Sequence, residues 1–449
     1  KGWDFSGREA ILDTLTRKIY YIQFSQKQRV TDGDDILYGK VGSLDGVTLG
    51  SGMIMNSYRN TLDYPIEKKI GLDLAIGNVT ALDVGVEAMV SGFTDFARGG
   101  AVVGTRAFFS PLGSTDIPLL KNFEMGASFA ADINQYGGLK DSDGDRYPDK
   151  VDRFPNDPEL QFDTDGDGIA DSNDIDLDGD GIPEFTEITD PTVRQNLEDA
   201  APGNQVDNEY EQEDLFTLEG KNDFYGIAGF DVRQPILPFL SLYTGMAASV
   251  DPEQEHDTDQ AMGWGLYGPG VFLDFLPVVG VNLGYRYRTG QFRFGYFNEN
   301  YDNERATVAD AQNVVTKDNT LTDATMNGVF GSINANLYFV NVYGAYEFLA
   351  PFGGGENSMD FEARAGLNRE RLSQIPVISE YLDGLDAYYV RTGAPSVSEL
   401  FGPSQEALMG AQLRVKLGES TVLSYDYQLS FDQDEEPVSQ MSIGTQTSF

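Results

Sequence analysis

Residues 67–76 read EKKIGLDLAI, and their apolar side chains fall on every second position: Ile70, Leu72, Leu74 and Ile76 on one face, Gly71, Asp73 and Ala75 on the other. A period of two marks a β-strand with two unlike faces. The alternation returns in Leu82, Val84, Val86, Ala88 and Val90 against Asp83, Gly85 and Glu87, and in Phe123, Met125, Ala127, Phe129, Ala131 and Ile133. Late in the chain Phe361, Ala363, Ala365 and Leu367 alternate with Glu362, Arg364 and Gly366. Leu423, Tyr425, Tyr427, Leu429 and Phe431 alternate with Ser424, Asp426, Gln428 and Ser430. A soluble sandwich gives similar stripes, so alternation sets the class and leaves the architecture open.

The connections choose between architectures. Short links near 45–46, 77–80, 235–238, 274–277 and 418–420 alternate with longer polar ones near 58–66, 91–100, 134–223, 251–260, 299–325, 350–357, 393–405 and 432–437. Outer-membrane barrels have short periplasmic turns and long outer loops in the same strict alternation. Links 110–121 and 368–383 are long where the scheme wants short. ILPF, FLPV and LYFV each precede an alternating strand, a hairpin-to-hairpin recurrence that suits an up-and-down sheet. The stretch 278–298 is ambiguous: its apolar parity flips between Tyr287 and Phe292, with Thr289 and Gly290 as a bulge or a turn. The expected fold is therefore all-β, a transmembrane antiparallel up-and-down β-barrel of about 18 strands, with 16 as the runner-up, carrying a loop insertion. An even count puts both termini on the periplasmic side.

Composition agrees. The 449 residues include Tyr 23, Phe 28, Gly 50 and only Trp 2, and no apolar run is long enough for a membrane-spanning helix. A mean hydropathy of -0.33 fits strands that show lipid only alternate residues. The absence of cysteine excludes disulfides and thiolate metal sites, and the net charge of -41 argues against nucleic acid. The final strand, VSQMSIGTQTSF, sets Met441, Ile443, Thr445, Thr447 and Phe449 on one face. It resembles the C-terminal signal strand of bacterial outer-membrane proteins, whose terminal aromatic is read by the barrel assembly machinery. Such a protein needs an export signal; none stands ahead of Lys1, so it is expected to have been removed or to lie outside this numbering.

Four regions are expected: a helical segment at 1–17, where Ser6 and Glu9 have capping-box spacing; barrel wall at 18–136; an acidic insertion at 137–222; and wall again at 223–449. Residues 140–221 hold 26 Asp and Glu against 6 Lys and Arg, about half of the net charge. Within them DSDGDRYPDKVD, DTDGDGIADSND and DLDGDGIPEFTE repeat one twelve-residue pattern. A hard cation such as Ca²⁺ takes six to eight oxygens, and a loop with carboxylates at positions 1, 3, 5 and 12 and a carbonyl at 7 wraps it. The first copy offers Asp141, Asp143, Asp145, Tyr147 (carbonyl), Asp149 and Asp152; the second offers Asp163, Asp165, Asp167, Ile169 (carbonyl), Asp171 and Asp174. The third offers Asp176, Asp178, Asp180, Ile182 (carbonyl), Glu184 and Glu187. Gly168 and Gly181 allow the tight turn at position 6, where the first copy has Arg146. The run resembles thrombospondin type 3 repeats, and its third copy also resembles an EF-hand loop. The resemblance implies a Ca²⁺ cofactor and an insertion ordered only with the metal.

If the apolar stripe meets lipid, the other stripe lines a lumen, and Arg286, Arg288, Arg364, Arg414, Lys416 and Asp426 face inward. Pairing the last short hairpin by face can set Arg414 opposite Asp426. A barrel of this size leaves a water channel unless something fills it, so passive diffusion of small solutes, favouring cations, is the first functional expectation. The alternative is a structural or adhesive anchor whose calcium-bound insertion holds a surface layer, polysaccharide or partner protein. His256, the single histidine, has no nucleophile to work with, and no enzyme is expected. The expected location is the bacterial outer membrane, with the insertion on the extracellular side. Expected partners are outer-membrane lipid, a surface or periplasmic protein, and further copies of the chain.

Overall fold

The computed structural model describes residues 21–24, 37–62, 69–77, 84–97, 99–113, 115, 117, 120–174, 215–250, 263–275, 278–372, 374–418, 421–431 and 435–447. The expected helix at 1–17, Asp83, His256, the terminal residue Phe449 and the third aspartate repeat lie outside them. The chain divides into two compact units: Lys1–Gln135 with Asp223–Glu304 and Asp318–Phe449, and Tyr136–Asn222 with Arg305–Lys317.

The first unit is built on one antiparallel sheet of 17 strands. Its first eight are β1 (Tyr21–Phe24), β2 (Leu37–Gly42), β5 (Gly71–Ile76), β6 (Gly85–Val90), β7 (Val102–Phe109), β8 (Glu124–Asp132), β9 (Tyr225–Leu237) and β10 (Leu240–Val250). The rest are β11 (Trp264–Phe275), β12 (Val279–Thr289), β15 (Met326–Leu337), β16 (Val340–Pro351), β17 (Ser358–Leu367), β18 (Leu382–Ala394), β19 (Ala407–Lys416), β20 (Thr421–Phe431) and β21 (Pro437–Thr447). Four short strands stand apart: β3 (Asp45–Val47) pairs with β4 (Tyr58–Arg59), and β13 (Ala306–Val308) with β14 (Val314–Thr316). Each sheet strand hydrogen-bonds the one before it in the chain, an up-and-down ladder from β1 to β21.

Burial along these strands is inverted. Asp73, Glu87, Arg106, Asp132 and Glu347 are buried, while Val86, Leu242, Met246, Leu283, Val329 and Ile333 stand exposed on the opposite face. A water-soluble sheet does the reverse, because exposing apolar area to water costs about 25 cal/mol per Å². The outer face is therefore made for hydrocarbon.

Two segments that the sequence reading assigned to wall strands or hairpin links instead fill the concave side. Residues 45–46 are no hairpin turn; the chain from Ser43 to Leu62 runs inward, with Leu44, Ile54, Met55 and Tyr58 fully buried. Residues 291–301 do the same beyond Thr289, where the wall strand stops, and bury Phe292, Tyr296, Phe297 and Tyr301. Met55 bridges to Phe297, which joins the two segments. The inner segments show that the sheet curls: Ile54 lies against Gly229 of β9, and the Arg59 guanidinium lies 4.6 Å over the Tyr388 ring of β18. Five residues of extended chain reach at most about 18 Å, whereas seven ladder steps of a flat sheet span about 34 Å. The inward turn of 43–62 also explains why 17 strands are described rather than 18. With 17, β1 and β21 run in the same direction, so the expected placement of both termini on one side does not hold for the described strands.

Tyr243 shows how the inner face is tiled. Its ring lies across Gly270 of β11 and Gly284 of β12, where a Cβ would collide with it. Its hydroxyl donates to Asn282 Oδ1 at 2.6 Å, and Tyr267 stacks on it at 4.5 Å.

Substituting the middle of the outer face tests the inversion. Leu283→Arg is expected to lower the folding stability in lipid vesicles, measured by denaturant titration, by about 2–4 kcal/mol. Asn334→Asp, on the inner face, is expected to change it by less than about 1 kcal/mol.

Candidate lumen and candidate metal centre

The inner face holds a connected set of charges. Glu299, on the inward segment, is nearly fully buried and takes both Arg59 and Arg364, while Arg364 Nε also donates to Glu362 Oε1 at 2.5 Å. Arg286 of β12 pairs with Glu347 of β16, and its guanidinium is 4.6 Å from the Phe294 ring centroid and 3.9 Å from that of Phe330. Arg288 donates to the Phe292 carbonyl at 2.7 Å, tying the wall to the start of the inward segment. Lys69 sits between Asp302 at 2.8 Å and Asp95 at 3.8 Å, and Tyr58 donates to the other Asp302 oxygen at 2.9 Å. Arg106 bridges Glu124 and Asp231, each at 2.9 Å. Charged pairs enclosed in this way hold their segments firmly, since removing one partner strands the other in a poorly solvated place.

Among the described strands the backbone pairs along one continuous ladder from β1 to β21, the outer face is apolar, and the inner face is charged and wraps its own segments. This is a membrane-spanning β-barrel.

Of the residues expected in the lumen, Arg286, Arg288 and Arg364 occupy the network just described. Arg414 does not meet Asp426. The β19–β20 register sets Gln412 opposite Asp426 and Arg414 opposite Ser424, two residues away from the expected pairing. Gln412 donates to Asp426 at 2.5 Å, and Arg414 turns the other way, to Asp386, with Asp383 at 3.8 Å and Gln412 beside it. Lys416 donates to the Ser379 carbonyl at 2.9 Å. The sequence reading missed Glu347, which stands between the outward residues Tyr346 and Phe348 and was open to the parity argument. It also missed Lys69, which shares the parity of Asp73 and was open to the same argument, and Arg59, Glu299 and Asp302, which lie on the inward segments.

The second unit contains the first two aspartate repeats, and their loops have the same bonding. Asp141 accepts from the N–H groups of Gly144 and Arg146 at 2.7 and 3.0 Å; Asp163 accepts from those of Gly166 and Gly168 at 3.0 and 3.1 Å. Asp145 accepts from Tyr147 at 2.8 Å, and Asp167 from Ile169 at 2.7 Å. Asp149 spans back to the N–H and hydroxyl of Ser142, and Asp171 to those of Thr164, so position 9 braces each loop across its mouth. Asp141, Asp143 and Asp145 bring one oxygen each within 4.8 Å of one another, as do Asp163, Asp165 and Asp167.

One oxygen each of Asp143, Asp145 and Asp152 is enclosed without a hydrogen-bond partner, and Asp152 as a whole is only 6% exposed. Three orphaned carboxylate oxygens around one loop form a donor set that would suit a divalent ion. Burial, with Asp145, Asp143 and Asp149 nearby, pushes the Asp152 carboxyl up to about 6. Asp149 is held below the usual range: burial opposes this, but hydrogen bonds from Lys140 and Ser142 outweigh it. Position 6 takes φ +80° at Arg146 and +89° at Gly168, a left-handed conformation that glycine adopts without strain.

No family model and no curated protein matches the chain. Among solved structures, two substituted forms of the Rh. blastica porin align over 92% of this chain and 99% of theirs, at 10% identity and a TM-score of 0.28. A structure described as "Asymmetric conductivity of engineered proteins" aligns over the same shares at 10% identity and 0.27. Scores at this level carry no argument; the barrel rests on the ladder and the burial.

Two substitutions probe these sites. Glu299→Gln leaves Arg59 and Arg364 short of their shared partner and is expected to cost about 3–5 kcal/mol in denaturant titration. Arg146→Gly is expected to stabilise the first aspartate loop by about 1 kcal/mol in local hydrogen exchange, because the exposed Arg146–Glu219 pair it removes is worth less than the strain it relieves.

Proposed function

We propose that the protein is an outer-membrane β-barrel that serves as a narrowed diffusion channel favouring small cations, with a calcium-stabilised insertion on the extracellular side. The observation that carries it is the inversion of burial: a lipid-facing apolar wall around an interior of charged and hydrogen-bonding groups suits a polar path. The inward segments 43–62 and 291–301 narrow that path, which limits it to small solutes. The preference for cations rests on the net charge of -41. The extracellular placement rests on loop alternation: the insertion joins β8 to β9 at the same end of the ladder as the long 290–325 link. The calcium reading rests on the two matching loops and on the orphaned oxygens of the first. The third repeat, with Asp176 to Glu187, is proposed to bind in the same way on its spacing alone.

A second reading is favoured by a specific feature. The inward aromatic residues Phe292, Tyr296, Phe297 and Tyr301 are packed as tightly as a soluble core, which also suits a filled barrel acting as an anchor for the insertion. Planar-bilayer recordings of the purified protein separate the two. Discrete steps with a reversal potential shifted toward the cation are expected; silence under all conditions makes the anchor the correct reading. Calorimetric titration of the same protein is expected to show calcium binding tighter than millimolar. Asp145→Asn with Asp167→Asn is expected to weaken it at least tenfold, and no heat of binding in the parent protein would remove calcium from the proposal.

A further inference from the structure

The second unit is assembled from two separate stretches of chain. Besides Tyr136–Asn222 it contains Arg305–Lys317, the β13–β14 hairpin of a different loop. The first aspartate loop reaches this hairpin by a short relay of main-chain bonds. Leu218 N–H donates to the Arg146 carbonyl at 2.8 Å, Arg146 pairs with Glu219, and Phe216 N–H donates to the Ala311 carbonyl at 2.8 Å. The turn of the hairpin is itself closed by Asn313 donating to Asp310, which holds that carboxyl below its usual range. The aspartate loop thus presents its position-6 carbonyl, that of Arg146, to the segment that holds the hairpin.

The chain passes between the units four times: after Gln135, before Asp223, after Glu304 and before Asp318. Within the first unit, three of these four points meet at one side chain. Gln135, fully buried, donates its N–H to the Asp223 carbonyl at 2.8 Å and its side-chain amide to Asp318 Oδ1 at 2.7 Å. Its amide oxygen accepts from Tyr296 at 2.8 Å, and Tyr301 donates to Asp132 at 2.9 Å beside it. Tyr296 and Tyr301 belong to the segment that fills the lumen. The fourth point, Glu304, ends the helical turn α1 (Tyr301–Glu304) of that same segment and is held by Asn300 at 2.9 Å.

We propose that calcium in the first aspartate loop regulates the channel: it holds the β13–β14 hairpin in place, and the Gln135 cluster passes the state of the insertion to the lumen-filling segment. This rests on the calcium and channel readings above. With calcium bound the segment stays docked; without it the hairpin is released, strain along the chain reaches Asp318 and Glu304, and the segment loosens. No new chemistry is required, since the coupling is mechanical and follows backbone hydrogen bonds and peptide links.

The test uses the full-length protein in lipid, with calcium chloride or with a chelator. Hydrogen exchange over residues 306–316 is expected to speed up at least tenfold in chelator, and mean single-channel conductance to rise at least twofold. The variant Gln135→Leu keeps the volume and removes the polar hub; it is expected to bind calcium normally by calorimetry and to lose the calcium dependence of conductance. The chain has no cysteine, so the pair Phe216→Cys and Ala311→Cys gives one defined crosslink; oxidised, it is expected to hold the low conductance in chelator. Unchanged exchange and conductance while calorimetry shows calcium bound would overturn the inference and leave both underlying readings standing. A crosslinked protein that still responds to the chelator, or a Gln135→Leu protein that responds as the parent does, overturns it as well. Absence of calcium binding removes the calcium reading itself.

Discussion

In hydrocarbon a backbone N–H or C=O has nothing to bond to but another strand, and this constraint governs the rest of the protein. It demands the unbroken ladder from β1 to β21, with each strand bonded to its neighbours in the chain. It also sets the sign of the side chains: Leu283, Val329 and Ile333 belong outside, and Asp73, Glu87 and Glu347 belong inside. The wall contributes part of an apolar core from its inner face, among it Met89, Val102, Ile227 and Ala247. The rest of that core is brought in by segments 43–62 and 291–301, with Leu44, Ile54, Met55, Phe292, Tyr296 and Phe297.

The inward segments need charge as much as packing. Glu299 serves arginines from two directions, one on the other inward segment and one on β17, and Asp302 serves Lys69 and Tyr58. Enclosed carboxylates of this kind are poor sources of net stability but strict in what they accept, because an unsatisfied one costs several kcal/mol. The arrangement therefore fixes where the segments lie more than it adds to how tightly they are held. Packing against apolar wall residues such as Met89, Val102 and Ile227 acts together with these charges.

The aspartate loops face the opposite problem. Where the barrel surrounds each charge with an opposite one, these loops gather like charges and bond their backbone N–H groups to the outer oxygens, leaving the inner oxygens of Asp143, Asp145 and Asp152 together. Such a loop has almost no hydrophobic core to hold it, and its shape comes from Asx-type bonds and from the left-handed residue at position 6. The matching bonds of the two described loops show that the twelve-residue spacing encodes a geometry as well as a charge count. Arg146 shows that the encoding survives a residue unsuited to it, since the backbone there adopts φ +80° all the same.

How much of this could be read from the sequence follows from what a period of two can report. Alternation distinguishes two faces, so it revealed the wall strands at 71–76, 85–90, 124–132, 358–367 and 421–431 and the inward direction of Arg286 and Arg364. It cannot say what an apolar face is buried against. Residues 291–297, QFRFGYF, alternate as a wall strand does, yet Phe292 and Phe294 are buried in the lumen and not against lipid. The parity flip at Thr289–Gly290 was the visible sign that the wall had ended. Register is a second blind spot: face alone allows Arg414 to meet Asp426 or Asp386, and the choice depends on how the β19–β20 hairpin closes, which parity does not constrain. The aspartate loops were the most legible part because their ligands come from consecutive residues, so that spacing and geometry are nearly the same information. The charge network around Glu299 was the least legible, since its members meet only after two segments have turned inward.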